Sequence, residues 1–106
     1  MNILVVGGGG REHAIAASLS KSPLTKRLIV APGNPGIETF AECHPIAAND
    51  ILGQCKLASE IKADFVFIGP EIPLVLGLKD ELLKLGICAF GPSKKAAQLE
   101  LSLIHI

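Results

Sequence analysis

Short runs of apolar residues alternate along this chain with longer stretches of mixed character, and turn-forming residues stand between most of them. Ile3-Leu4-Val5-Val6 is apolar at every position. Such a run buries both of its faces, as strands of a parallel sheet do. It predicts a strand over 2–6. Leu28-Ile29-Val30-Ala31, Phe65-Val66-Phe67-Ile68 and Ile87-Cys88-Ala89-Phe90 repeat the pattern. His44 to Ala47 predicts a short strand, third in order. Between the strands the spacing turns helical. Arg11 to about Lys21 carries Ala14, Ile15, Ser18 and Leu19 on one stripe, and Ser22-Pro23 ends it, because a residue before proline avoids the helical region. Residues 37–43 read as irregular. Asn49 or Asp50 caps a helix from Ile51 to about Lys62, with Ile51, Cys55, Ala58 and Ile61 inward. Gly53 weakens that helix by about 1 kcal/mol relative to alanine. A third helix starts near Pro73, a residue suited to the first helical position. It turns Leu74, Leu78, Leu82 and Leu85 inward and stops at Gly86. Gly91-Pro92 breaks the last strand, and Ser93 caps a final helix through Glu100.

Strands and helices that alternate imply an α/β fold, with helices on both faces of an open parallel sheet. Right-handed crossovers suggest strand order 3-2-1-4-5. The connections leaving strands one and four then run in opposite directions, and a crevice opens between them at the carboxyl ends of the strands. Three unusual turns meet there: Gly7–Arg11, Pro32–Gly36 and Gly69–Pro73.

The first of these turns carries the chemistry. Four apolar residues run into Gly7-Gly8-Gly9-Gly10, and Arg11 opens a helix. A helix start offers free N–H groups and partial positive charge. Glycine puts no Cβ between backbone and ligand. The natural occupant is a phosphate or another small anion; the alternative is a glycine-rich connection with no ligand. A dinucleotide fingerprint, Gly-x-Gly-x-x-Gly, does not fit, because its third slot falls on Glu12 or His13. Strand two also lacks the closing acid that such Rossmann-like modules use on a ribose hydroxyl. A Walker loop fails because Arg11-Glu12 follows Gly10. A response-receiver-like domain would want acidic residues where this chain has glycines.

Other residues leave two readings open. Arg11 either clamps a phosphate with its planar fork or stays solvated. Glu12 suits the helix dipole or meets a ligand. His13 either donates to a phosphate or sugar oxygen or is satisfied locally. Glu71, in a rigid turn between two prolines, can hold sugar hydroxyls or an amine, or can serve as an acid at a helix start. Asn34 bonds its own backbone in a turn by default. His44, His105 and the cysteines have no partner at ligand spacing. No nucleophile–base pair and no metal-ligand pattern is visible.

Composition narrows the classes. The 106 residues fit one domain, and 49% hydrophobic with 19% charged residues speaks against disorder. Ten basic and ten acidic side chains cancel, which argues against a general nucleic-acid footprint. Three cysteines at 43, 55 and 88 match no zinc or redox spacing. They suit a reduced, cytoplasmic protein. Ile3 to Val6 is too short for a signal h-region or a membrane span.

The run Val5-Val6-Gly7-Gly8-Gly9-Gly10-Arg11-Glu12-His13-Ala14 resembles the N-terminal signature of the phosphoribosylamine–glycine ligase family, the glycinamide ribonucleotide synthetases. Ala31-Pro32-Gly33-Asn34-Pro35-Gly36, Ile68-Gly69-Pro70-Glu71-Ile72-Pro73-Leu74 and 90–100 resemble the family in the same order. The resemblance covers about residues 1–100 and implies an N-terminal substrate-binding domain of Rossmann-like fold. It implies an ATP-grasp ligase of de novo purine biosynthesis that joins 5-phosphoribosylamine to glycine with ATP and magnesium. Carried over, Gly8, Gly9, Gly10 and Arg11 would meet the substrate's phosphate, while Asn34, Gly36, Pro70 and Glu71 would line its ribose and amine. The family enzyme is several times longer. Its ATP-grasp domains, which grip ATP and metal, have no counterpart here and are the implied partners in cis. Catalysis by this chain alone is therefore not expected, and no catalytic residue is assigned. A nucleotide- or dinucleotide-binding module is the alternative. Residues 101–106, Leu-Ser-Leu-Ile-His-Ile, depart from the family pattern and are expected to be foreign sequence.

Overall fold

The computed structural model describes residues 1–91, apart from the side chains of Glu71 and Leu74. The helix expected over 93–100 and the tail 101–106 lie outside the described residues. Five parallel strands form one sheet: β1 (Asn2–Gly7), β2 (Arg27–Pro32), β3 (Glu42–Cys43), β4 (Phe65–Ile68) and β5 (Cys88–Phe90), in the order β3-β2-β1-β4-β5. This is the order expected from the sequence. β1 is central, with Val5 opposite Val30 on one side and Phe67 on the other.

Alternation along the strands builds two apolar layers. Leu4, Val6, Ile29, Ala31, Val66 and Ile68 face one way and are covered by α2 (Ile51–Glu60) and α4 (Leu78–Lys84). Ile3, Val5, Leu28, Val30, Phe65 and Phe67 face the other way and are covered by α1 (Gly10–Ser20). α1 on one face and α2 and α4 on the other is the arrangement that right-handed crossovers require.

Four local expectations need correction. The third strand is Glu42–Cys43 rather than 44–47. One more ladder bond, from the His44 N–H to the Val30 carbonyl at 3.1 Å, follows it. Pro45 then has no N–H to donate, so pairing stops. A 3-10 turn at Ile37–Thr39 occupies part of the stretch read as irregular. The third helix is two helices, α3 (Glu71–Val75) and α4, parted at Gly77, whose φ is +92°. Leu78 and Leu82 are buried as expected, but Leu85, at the C-cap of α4, is 53% exposed.

The inward stripes also shift. On α1 they are Glu12, Ile15, Ala16 and Leu19, with Ala14 exposed and Ser18 half-buried. On α2 they are Gln54, Leu57 and Ala58, with Ile61 buried at its C-cap and Ile51 and Cys55 only half-buried. In each helix one polar residue heads an otherwise apolar stripe. Gln54 Nε2 donates to the carbonyls of Ala31, Ile46 and Ala47 at 3.1–3.2 Å. It thereby ties the end of β2 to the chain after β3. Asp50 caps α2 by accepting from the Gly53 N–H at 3.0 Å.

Gly86 ends α4 as expected. Its N–H donates to the Leu83 carbonyl at 3.0 Å, and the Ile87 N–H donates to the Leu82 carbonyl at 2.9 Å. This pair of bonds requires a left-handed residue, and Gly86 has φ +77°. A methyl group there would meet no atom of the described residues within 4 Å, so the cost of adding one is conformational. Gly86→Ala is expected to lower unfolding free energy by about 1–2 kcal/mol in urea titration. An unchanged midpoint would contradict this account of the helix end.

Candidate functional site

Two strand ends and the connection after β2 come together at the carboxyl edge of the sheet. β1 and β2 end side by side, with Gly7 opposite Pro32, and β4 ends with Ile68 opposite Val6. Main-chain bonds then lace the turns. The Gly33 N–H donates to the Gly7 carbonyl at 3.0 Å, and the Gly69 N–H donates to the Val6 carbonyl at 3.1 Å. Asn34 Nδ2 donates to the Gly8 carbonyl at 2.9 Å, while its Oδ1 accepts from the Ile37 N–H at 3.0 Å. Asn34 thus makes the local turn bond that its residue type favours. With its other end it also holds the glycine turn.

These turns lie closer together than side chains would permit. A methyl group on Gly8 would sit 2.4 Å from the Gly33 carbonyl oxygen. On Gly7 or Gly69 it would strike the Glu12 side chain at 2.2 Å or 2.5 Å. Gly36 packs on the His13 ring, where a methyl would lie 2.8 Å from Cε1. That ring rests against Phe40, with centroids 5.5 Å apart.

Gly9 and Gly10 differ from their neighbours. Both are exposed, and among the described residues nothing lies within 4 Å of a methyl placed on Gly10. Gly9 is the N-cap of α1. The first N–H groups of that helix have no intrahelical acceptor. Arg11 is exposed beside them and reaches across to the Gly69 carbonyl at 3.5 Å, a long contact. The result is a bare main-chain ledge, partially positive, with a guanidinium next to it.

Of the eight residues assigned to substrate from the sequence, Gly8, Gly9, Gly10, Arg11 and Asn34 belong to this cluster. Gly36 joins it through His13. Pro70 is half-buried and follows Gly69. Glu71 begins α3; its side chain lies outside the described residues. Glu12 was not on that list, yet it is 7% exposed and wedged between the Gly7 and Gly69 turns. Its signal was its spacing: 12, 15, 16 and 19 make the i, i+3, i+4, i+7 stripe, with the charged residue at its head.

Two other features lie elsewhere. Burial pushes the Cys43 and Cys55 thiols above their ordinary value, which disfavours the thiolate a nucleophile needs. A depression of about 490 Å³ lined in part by Lys26, Arg27, Phe40 and Glu42 touches none of the glycine turns. Among the described residues no group of three His, Cys, Asp or Glu side chains is placed to hold a metal ion, and no helix is long and apolar enough to cross a membrane.

The close approach of Gly8 to Gly33 gives a direct expectation. Gly8→Ala must push two main chains apart, an overpacking that costs about 1–3 kcal/mol. Its thermal midpoint should fall, and amide resonances at Gly33 and Asn34 should move. A variant as stable as the parent, with those resonances in place, would refute the packing described.

Comparison with known proteins shows the family of the chain. Residues 1–100 match the family model described as phosphoribosylglycinamide synthetase, N domain. The chain is 54% identical over 102 residues to a protein of Caulobacter vibrioides named phosphoribosylamine–glycine ligase, covering 96% of this chain and 24% of that one. A protein of the same name from Phenylobacterium zucineum is 51% identical over 102 residues, with the same coverage. One from Caldanaerobacter subterraneus is 49% identical over 100 residues, covering 94% of this chain and 24% of its own length. The chain therefore spans about a quarter of the length of these relatives, and it belongs to the phosphoribosylglycinamide synthetase N-domain family.

Proposed function

We propose that this chain is the substrate-holding N domain of an ATP-dependent ligase that joins 5-phosphoribosylamine to glycine in purine biosynthesis. In this reading the Gly9–Gly10–Arg11 ledge takes the sugar's phosphoryl group, and the turns at Asn34–Gly36 and Pro70–Glu71 lie along the ribose and amine. The observation that supports it most is the bare helix start at the carboxyl edge of β1, held open while every neighbouring glycine is packed. Main-chain N–H groups at such a start bind phosphate without a lysine-bearing loop. The names of the relatives, whose full length is about four times that of this chain, supply the reaction class.

Binding is what this chain's own residues offer. The ledge fixes the phosphoryl end, Arg11 supplies a planar pair of donors, and the rigid turns orient what lies beyond. ATP with magnesium would supply activation of the glycine carboxylate. The described residues do not fit that pair, since they bring together no acidic metal-binding group and carry no Walker loop. That task falls to segments of a longer ligase, as partners in cis. A cytoplasmic location and the absence of nucleic-acid and membrane partners belong to the same reading. A dinucleotide module is the alternative, and nothing in the site favours it.

Calorimetric titration separates the two. The chain should bind ribose 5-phosphate in preference to NAD; the reverse preference would overturn the ligase reading. Gly10→Ala is the sharpest variant, because its methyl group meets no atom of the described residues within 4 Å and alanine suits a helix better than glycine. Stability should hold or rise while affinity falls. Arg11→Ala should weaken binding roughly tenfold, the scale of one charge-assisted hydrogen bond. Affinity unchanged in both variants would remove the ledge from the site.

A further inference from the structure

Glu12 is the only charged side chain among the buried residues described. Its carboxylate lies under the glycine turns: a methyl on Gly7 would sit 2.2 Å from Oε1, one on Gly69 2.8 Å from Oε1, and one on exposed Gly9 3.6 Å from Oε2. It is the third residue of α1, where a glutamate often reaches back to the N–H of the cap. Here it makes no hydrogen bond or ion pair within the described residues. Two side-chain atoms are sealed off without partners, Thr25 Oγ1 and Gln54 Oε1. The Glu12 oxygens are not among them, and Oε2 lies on the side of exposed Gly9.

A largely buried carboxylate with no donor among the described residues is unfavourable, and its charge opposes any simple anion on the ledge above it. A ligand that brings both a phosphoryl group and an N–H donor satisfies both ends. We propose that Glu12 contacts the ligand directly, accepting a hydrogen bond from the amine of an amino-sugar phosphate whose phosphoryl group rests on Gly9, Gly10 and Arg11. This rests on the binding reading above and adds the residue that recognises the amine and rejects plain phosphate. The discrimination comes from repulsion as much as from attraction.

The test titrates the 106-residue chain at matched ionic strength with inorganic phosphate, with ribose 5-phosphate, and with ribose 5-phosphate in ammonia buffer, which forms the 1-amino sugar. The parent chain should prefer the amino form to ribose 5-phosphate by roughly tenfold, one charge-assisted bond. Glu12→Gln keeps an acceptor at the same helix position but removes the charge. The preference should collapse toward one, and inorganic phosphate should bind as well as before or more tightly. A purely structural role would weaken all three probes alike. Retention of the full preference, or a parallel loss for every probe, would overturn the proposal. If Glu12→Gln fails to fold, the carboxyl-carbon resonance of Glu12 in the parent chain decides. It should shift with the amino sugar and stay in place with ribose 5-phosphate, and no shift with the amino sugar would overturn the proposal. A parent chain that binds none of the probes would sink the binding reading and this proposal together. Binding with an unaltered preference in Glu12→Gln would sink this proposal alone.

Discussion

Main chain packed against main chain at the end of β1 is the constraint on which the rest of this site depends. Gly8 touches the Gly33 carbonyl, and Gly7 and Gly69 close on the Glu12 side chain, at separations where no Cβ fits. Hydrogen bonds from Gly33, Asn34 and Gly69 to the ends of β1 and its turn fix those separations. Three connections that are far apart in sequence become one rigid surface. The start of α1 is left standing free upon it, with its donors aimed outward.

The sheet makes that rigidity possible. β1 is buried on both faces and paired on both edges, so its end cannot drift. β2 and β4 are registered against it residue by residue, which brings their turns to the same height. Gln54 then anchors the carbonyl of Ala31, just upstream of the Pro32–Gly36 turn, from beneath. The core therefore acts as the frame of the site, with little chemistry of its own.

Most of this frame was legible in the sequence because it rests on periodicity. Apolar runs marked four of the five strands, and their alternation with helical stretches implied the strand order. What was hidden follows from two physical causes. Glu12 and Gln54 occupy inward positions that a reading by polarity gives to solvent; three carbonyls brought together by the tertiary fold accept from Gln54, and Glu12 is enclosed by turns distant from it in sequence. Pro45 and Gly77 act through backbone geometry. One removed a ladder donor and the other broke a leucine-rich helix that side-chain spacing alone would continue. Within the site, the glycine turns and Asn34 were visible as motifs, whereas the contact of Gly36 with His13 and the wedging of Glu12 depend on juxtapositions between turns.

The central claim is that an open ledge of main-chain amides after β1 receives a phosphoryl group. Mapping amide resonances of the chain during titration with ribose 5-phosphate tests it most directly. Saturable shifts concentrated at Gly9, Gly10 and Arg11, with smaller ones at Asn34, are the predicted result. Shifts confined to the depression around Lys26 and Arg27, with residues 8–11 unmoved, would contradict it.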